Sequence, residues 1–181
     1  MGKSHPSHPS HPSHPGIPSA AEATFSDDFN RANGDPGADW LEDRYWAIAS
    51  NALVSGQAGA IASVNRLATG QTQWAQCTLN SGGAGPACRA GSHLENDYCY
   101  FAFKDGSAIT LYRYNGGFNS IGTATQAGSV VKITAEGDTI KVLIDGVEKI
   151  SATDAVLTGL RAGMYGNTSN VDAFSTNCTG G

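Results

Sequence analysis

From Thr139 to Tyr165 the chain reads TIKVLIDGVEKISATDAVLTGLRAGMY, and its apolar positions recur with a period of two. Ile140, Val142 and Ile144 alternate with Lys141 and Leu143, the pattern of a half-buried strand. Asp145-Gly146 separates this run from a second one and predicts a hairpin, because a tight turn needs positive φ, which Gly supplies at little cost. A polar loop follows, and then another strand opening on Gly159.

The same alternation recurs in short runs along the rest of the chain. Phe25 and Phe29, set among polar residues, predict a first strand that the turn chemistry of NGDPG interrupts. YWAIASNALVSG reads as two short strands joined at Ser50-Asn51, with Trp46, Ile48 and Leu53 facing inward. AIASV, QWAQCTLNS and PACRAGS supply further strands, and LEND marks the loop before YCYFAFKDGSAITLYRY. In that last segment a three-residue loop, Lys104-Asp105-Gly106, pairs Phe101 with Ile109 and Cys99 with Leu111. One face then carries Phe101, Phe103, Ile109 and Leu111 and is core; the other carries Tyr98, Tyr100, Tyr112 and Tyr114. A one-residue slip would reverse every side chain. Turns at Asn115-Gly116-Gly117 and Glu136-Gly137-Asp138 follow, and GLRAGMYG and VDAFSTNC close the chain as two final strands, anchored by Val171 and Phe174. About a dozen short strands and no helix predict an all-β, two-sheet antiparallel sandwich or jelly roll.

Residues 4–15 are SHP repeated four times. Proline at every third position removes backbone donors and fixes φ, which excludes helix and sheet and favours polyproline II. With three residues per turn, His5, His8, His11 and His14 fall along one edge, roughly 9 Å apart, as do Pro6, Pro9, Pro12 and Pro15 along another. A metal-binding tract, an arm docked on a partner, a flexible linker and an appended tag are the competing readings. The docked arm is the one carried forward. The chain thus divides into a low-complexity arm, 1–20, and a sandwich domain, 24–178.

Composition narrows the function classes. The chain has 181 residues, 15% of them charged, with 23 glycines, as turn-rich β proteins do. A net charge of −5 argues against nucleic acid as a partner. No apolar run approaches the length of a membrane-spanning helix, so no membrane partner is expected. The opening MGKSHPSHPSHP lacks the apolar stretch of a signal peptide, and the expectation is a protein made in the cytoplasm and released by lysis. Cys77, Cys88, Cys99 and Cys178 allow three pairings; as small buried hydrophobes they need none, although Cys88 and Cys99 could face each other across a hairpin.

DDFNRANG, WAIASNAL, the IDG hairpin, GLRAGMYG and VDAFS, in this order from Thr24 to Cys178, resemble laminin-G-like domains of the concanavalin A-like lectin and glucanase superfamily. The resemblance implies a sandwich that hosts lectins, glycosidases, adhesion modules and virion proteins alike. Versions with a DDFNRANG-like opening are similar to domains of bacterial surface proteins and of bacteriophage tail or capsid proteins. Relatives often hold a structural calcium near the first and last strands, and Asp27, Asp28 and Asp172 occupy comparable places with oxygen donors suited to a hard cation. No other cofactor is implied. Glycosidases of the superfamily carry paired carboxylates on one strand in an ExDxxE-like string, and no strand here offers it. The tyrosine face, Tyr98, Tyr100, Tyr112 and Tyr114, admits three readings: stacking on sugar rings, contact with a neighbouring subunit, or an inner wall.

Together these readings predict a non-enzymatic interaction module: a bacteriophage virion protein, capsid decoration or tail-associated. It would be oligomeric in the assembly, fastened to other subunits by its arm and displaying its sandwich outward. The alternative is a carbohydrate-binding or adhesion module of a bacterial surface or secreted protein that recognises a cell-surface glycan.

Overall fold

A computed structural model describes residues 24–42, 45–91 and 98–180. The SHP-repeat arm, with His5, Pro6, His8, Pro9, His11, Pro12, His14 and Pro15, lies outside the described residues. Thirteen strands and no helix occur among the described residues, so no helix is long and apolar enough to cross a membrane. The early strands are short: β1 (Phe25–Asp27), β2 (Trp40–Glu42), β3 (Trp46–Ala49), β4 (Ala52–Ser55) and β5 (Ala58–Val64). Next come β6 (Gln73–Ala90), β7 (Tyr98–Asp105), β8 (Ala108–Asn115) and β9 (Phe118–Thr125). β10 (Val130–Glu136), β11 (Thr139–Ile144), β12 (Val147–Thr153) and β13 (Arg161–Thr176) complete the chain.

Two strands run through both layers of the sandwich. The first half of β6 pairs with β10, Ala75 opposite Ile133, and its second half pairs with β7, Ala87 opposite Phe101. β13 follows β6 along its whole length, from Arg161 opposite Ala90 to Thr176 opposite Ala75, with register shifts between Asn167 and Ala173 where the pair passes between layers. The first layer is therefore β12-β11-β10-β6-β13, edged by β1 and the β3–β4 hairpin. The second is β9-β8-β7-β6-β13-β5-β2. The sequence reading split each of β6 and β13 into two separate strands. Apolar alternation falters at the crossing, where β6 reads Asn80-Ser81-Gly82-Gly83, but the hydrogen-bond ladder continues.

The core fills the space between the layers. Val131, Ile133, Ile140, Val142, Ile144 and Phe174 meet Tyr100, Ala102, Ile109, Leu111, Ala162 and Met164. Trp46, Ile48 and Leu53 are buried, as their alternation predicts. The organising hairpin also forms as read: Ile144 pairs with Val147, and Asp145 and Gly146 turn at φ 48° and 80°. Positive φ at both central residues is the type I′ arrangement that matches strand twist.

The β7–β8 hairpin differs from the sequence reading. Asp105 pairs with Ala108 and Phe101 with Tyr112, so the loop is the two residues Gly106-Ser107, not Lys104-Asp105-Gly106. Gly106 takes φ 58° at the first turn position, where a two-residue Gly-Ser loop needs it. The slip turns the faces over. Tyr100 faces the core with Ala102, Ile109 and Leu111, and Tyr98 packs partly against the same cluster. Phe101 and Phe103 take the opposite face with Tyr112 and Tyr114.

All four cysteines are buried, and none of them forms a disulfide. Cys88 pairs in register with Tyr100 and points into the core, whereas Cys99 belongs to the cluster on the other face. Neighbours in sequence around the hairpin, they do not face each other. Burial pushes the Cys88 and Cys77 thiols well above the ordinary thiol range, which leaves them inert hydrophobes.

Candidate functional site

The outer face of the second layer carries an aromatic cluster that the strand registers assemble. Phe101 on β7 lies opposite Tyr112 on β8 and Ala87 on β6, and Ala87 lies opposite Gly163 on β13. Tyr165 on β13 lies opposite Gly85 and Ile61. Because β6 contributes only Gly85 and Ala87 here, nothing larger than a methyl group separates the rings on either side of it. Phe101 reaches across to stack on Tyr165 at 4.0 Å and 18°. Its other side stacks on Tyr112 at 5.2 Å and 21°.

Phe118, the first residue of β9, stands nearly square to all three rings. It is 6.1 Å and 75° from Tyr112, 6.2 Å and 81° from Phe101, and 5.9 Å and 82° from Tyr165. Tyr114 supports it from the side at 4.9 Å. Edge-to-face contact of this kind is the favoured aromatic arrangement. It fixes Phe118 while leaving the ring 57% exposed. Phe103 meets Tyr165 edge-on at 5.9 Å and closes the side of the cleft.

The cleft has a volume of about 280 Å³ and is lined by Phe101, Phe103, Tyr112, Phe118, Tyr165 and Asn167. None of the six is charged. Burial, with the neighbouring Cys99, Tyr114 and Tyr112, raises the Tyr165 hydroxyl above the ordinary phenol range and keeps it a neutral donor. Asn167 stands exposed at the rim, next to Thr168 at φ 52°. Chemically, the cleft offers apolar ring surface, tyrosine hydroxyls and one amide.

Of the four tyrosines read as a single face, the structure brings Tyr112 and Tyr114 to this cluster and removes the other two. Tyr100 is fully buried on the inner side. Its hydroxyl donates to Asp154 Oδ1 at 2.6 Å and accepts the Leu157 N–H at 3.0 Å. Asp154 Oδ2 accepts from Arg113 at 2.5 Å, so this inner-face network ties the segment before β13 to the β7–β8 hairpin. The sequence reading missed Phe101, Phe103, Phe118, Tyr165 and Asn167. The Gly-Ser pair after Asp105 is the signal that finds the first two. Phe118 and Tyr165 join them only through sheet order.

The three aspartates proposed for calcium do different things. Asp27 accepts the Phe29 N–H at 2.8 Å, both Arg31 terminal nitrogens at 2.6 and 2.8 Å, and Trp40 Nε1 at 2.9 Å. Burial by itself would raise its carboxyl, but these donors hold it below the ordinary carboxylate range. Asp28 accepts the Asn30 N–H at 3.0 Å, and Asp172 is exposed on β13. Asp27 and Asp28 border a polar cleft of about 500 Å³ on the outer face of the first layer, with Ser26, Gln76, Thr78 and Ser175. Among the described residues no group of three or more His, Cys, Asp or Glu side chains is placed to hold a metal ion. Asp27, Asp28 and Asp172 form no such group, and both Asp27 oxygens already accept hydrogen bonds.

No family model and no curated protein matches the chain by sequence. Solved structures match it by fold. The carbohydrate binding module CBM66 from Bacillus subtilis superposes with a TM-score of 0.60 at 17% identity, over 75% of this chain and 91% of that one. A prokaryotic β-1,3-1,4-glucanase (lichenase) derived from a mouse hindgut metagenome gives 0.60 at 12%, over 86% and 99%. The exoplasmic/lumenal domain of VIP36, in a Ca2+/Man2-bound form, gives 0.58 at 9%, over 87% and 88%. At these identities the likeness is one of fold. The chain has the concanavalin A-like sandwich fold of lectins and glucanases.

Proposed function

We propose that this domain is a non-enzymatic carbohydrate-binding module, and that the aromatic cleft on its second layer is the glycan site. The observation that carries the reading is Phe118, a ring 57% exposed yet held edge-to-face against three others. A large apolar ring kept rigid in solvent is what stacking on the C–H face of a sugar requires, since little ordering entropy is lost on binding. Tyr112, Tyr165 and Asn167 line the same cleft and carry hydroxyls and an amide that suit sugar hydroxyls. The fold is shared with a carbohydrate binding module and a mannose-bound lectin domain, with which this reading is compatible.

The fold is also shared with glucanases, but the lining argues for binding without cleavage. Retaining hydrolysis needs two carboxyl groups about 5 Å apart, and none of the six lining residues carries a carboxyl. A glycan array probed with the full chain and with Phe118→Ala tests the proposal. We expect binding by the full chain and a loss of about tenfold or more in the variant, the size expected of an aromatic anchor, with an unchanged melting temperature. No glycan bound, or equal binding by both proteins, would overturn it, and release of reducing ends from a bound polysaccharide would replace it with a hydrolase.

The setting proposed for this module is a virion surface, with residues 1–20 as the fastening. The four SHP repeats support this reading. Co-purification of the full chain with particles, lost on deleting residues 1–18, tests it.

A further inference from the structure

We infer, on the basis of the glycan site just proposed, that the aromatic cleft selects sugars without charged substituents. It takes uncharged pyranose units and discriminates against uronic, sialic and sulfated ones.

The lining sets this preference first. Phe101, Phe103, Tyr112, Phe118, Tyr165 and Asn167 bring rings, hydroxyls and an amide, and no charge. A tyrosine hydroxyl and an asparagine amide each donate and accept. A sugar hydroxyl does the same, so the two kinds of group pair with neither role unused. A carboxylate or sulfate only accepts. Bringing it against the rings costs its hydration unless a cation faces it.

Among the described residues, the cations on the strands of this layer are held elsewhere. Lys104 on β7 follows Phe103 but is buried, and its ammonium donates to the Gly106 carbonyl at the hairpin turn. Arg113 stands between Tyr112 and Tyr114 on β8, yet it belongs to the inner face, where Asp154 accepts from it at 2.5 Å. Arg89 on β6 is 2% exposed and donates to the carbonyls of Leu157, Gln71 and Gly137. Arg161 lies about 13 Å along β13 from Tyr165 and donates to the Val64 carbonyl at 3.4 Å. β2, β5 and β9 carry no Lys or Arg.

The cause is the register of the β7–β8 hairpin. Alternation that sends Phe101, Phe103, Tyr112 and Tyr114 outward sends Lys104 and Arg113 the other way. The pairing that builds the aromatic face thereby removes its cations. A net charge of −5 on the whole chain adds repulsion of a polyanion on approach.

A glycan array in matched pairs tests the inference: uncharged polysaccharides, and the same chains after oxidation of their C6 hydroxymethyl groups to carboxylates. The full chain should bind uncharged members and lose about tenfold or more on their oxidised partners, a comparison that needs no variant. Asn167, exposed at the rim, is the place for a compensating cation. Asn167→Lys should recover about tenfold on the oxidised chains, through a charge-assisted hydrogen bond. Equal or tighter binding of the oxidised chains by the full chain overturns the selection and leaves the cleft a glycan site. A loss on oxidation that Asn167→Lys does not relieve, at a wild-type melting temperature, assigns that loss to shape and overturns the selection by charge. No binding to any chain, uncharged or oxidised, overturns the glycan reading itself and this inference with it.

Discussion

The rings of Phe101 and Tyr165 stack 4.0 Å apart although their strands are not neighbours; β6 runs between them. The stack exists because β6 places Gly85 and Ala87 under the rings. It joins the β7–β8–β9 half of the layer to the β13–β5 half above the backbone, and it forms the floor on which Phe118 rests.

Replacing Phe101 with alanine removes a ring that is 1% exposed and held on both sides. We expect a loss of about 3–5 kcal/mol in denaturant unfolding. A change below about 1 kcal/mol would mean that the outer cluster contributes little to the fold.

Gly85 is required for closeness. A Cβ built there would lie 1.5 Å from the Ala102 carbonyl oxygen on β7, and a backbone atom cannot move aside cheaply. Gly85→Ala should cost about 1–3 kcal/mol or more through overpacking. A wild-type unfolding midpoint in that variant would show that β6 and β7 separate more easily than this geometry allows.

Gly146 is required for conformation. Nothing lies within 4 Å of a Cβ placed there, so any cost comes from its φ of 80° alone. Gly146→Val should destabilise the domain by roughly 1 kcal/mol or more, because a β-branched residue holds positive φ poorly. A melting temperature equal to wild type would contradict the type I′ turn.

The Tyr100–Asp154–Arg113 network predicts losses of stability at both ends of the pH scale. Burial would raise the Asp154 carboxyl, but hydrogen bonds from Tyr100 and Val156 and the Arg113 guanidinium hold it below its ordinary 3.8. A depressed carboxyl stabilises the fold above its unfolded value, so this contribution disappears as pH falls from about 4. Tyr100 is pushed the other way, from 10.0 to about 12, by burial and by its bond to Asp154. Its contribution is complete below pH 10 and is lost as pH rises through about 12. Melting temperatures across pH should show Asp154→Asn flattening the acid limb and Tyr100→Phe flattening the alkaline one. Unchanged slopes would remove the network from the account of stability.

The sequence by itself determined the all-β class, most of the strands and the turn of the organising hairpin. The period of two in Ile140, Val142 and Ile144 and the Asp145-Gly146 pair are local features, and local sterics settle them. Trp46, Ile48 and Leu53 were legible as core for the same reason. The β7–β8 register was harder, because Lys104-Asp105-Gly106 and Gly106-Ser107 are both acceptable loops for one glycine. Choosing between them by local pattern sent Tyr100 to the wrong face, since YCYFAF is apolar at every position and gives no alternation to count. The tertiary structure decided it: Tyr100 needs Asp154 and Leu157 for its hydroxyl, and these lie more than fifty residues away. The cleft itself was decided there too. Phe101, Phe118 and Tyr165 sit on three strands that share no sequence pattern, and only the order β9-β8-β7-β6-β13, with small residues on the central strand, brings their rings together. Side-chain period is a property of one strand, whereas a site that crosses five depends on long-range pairing energies that no short window of sequence contains.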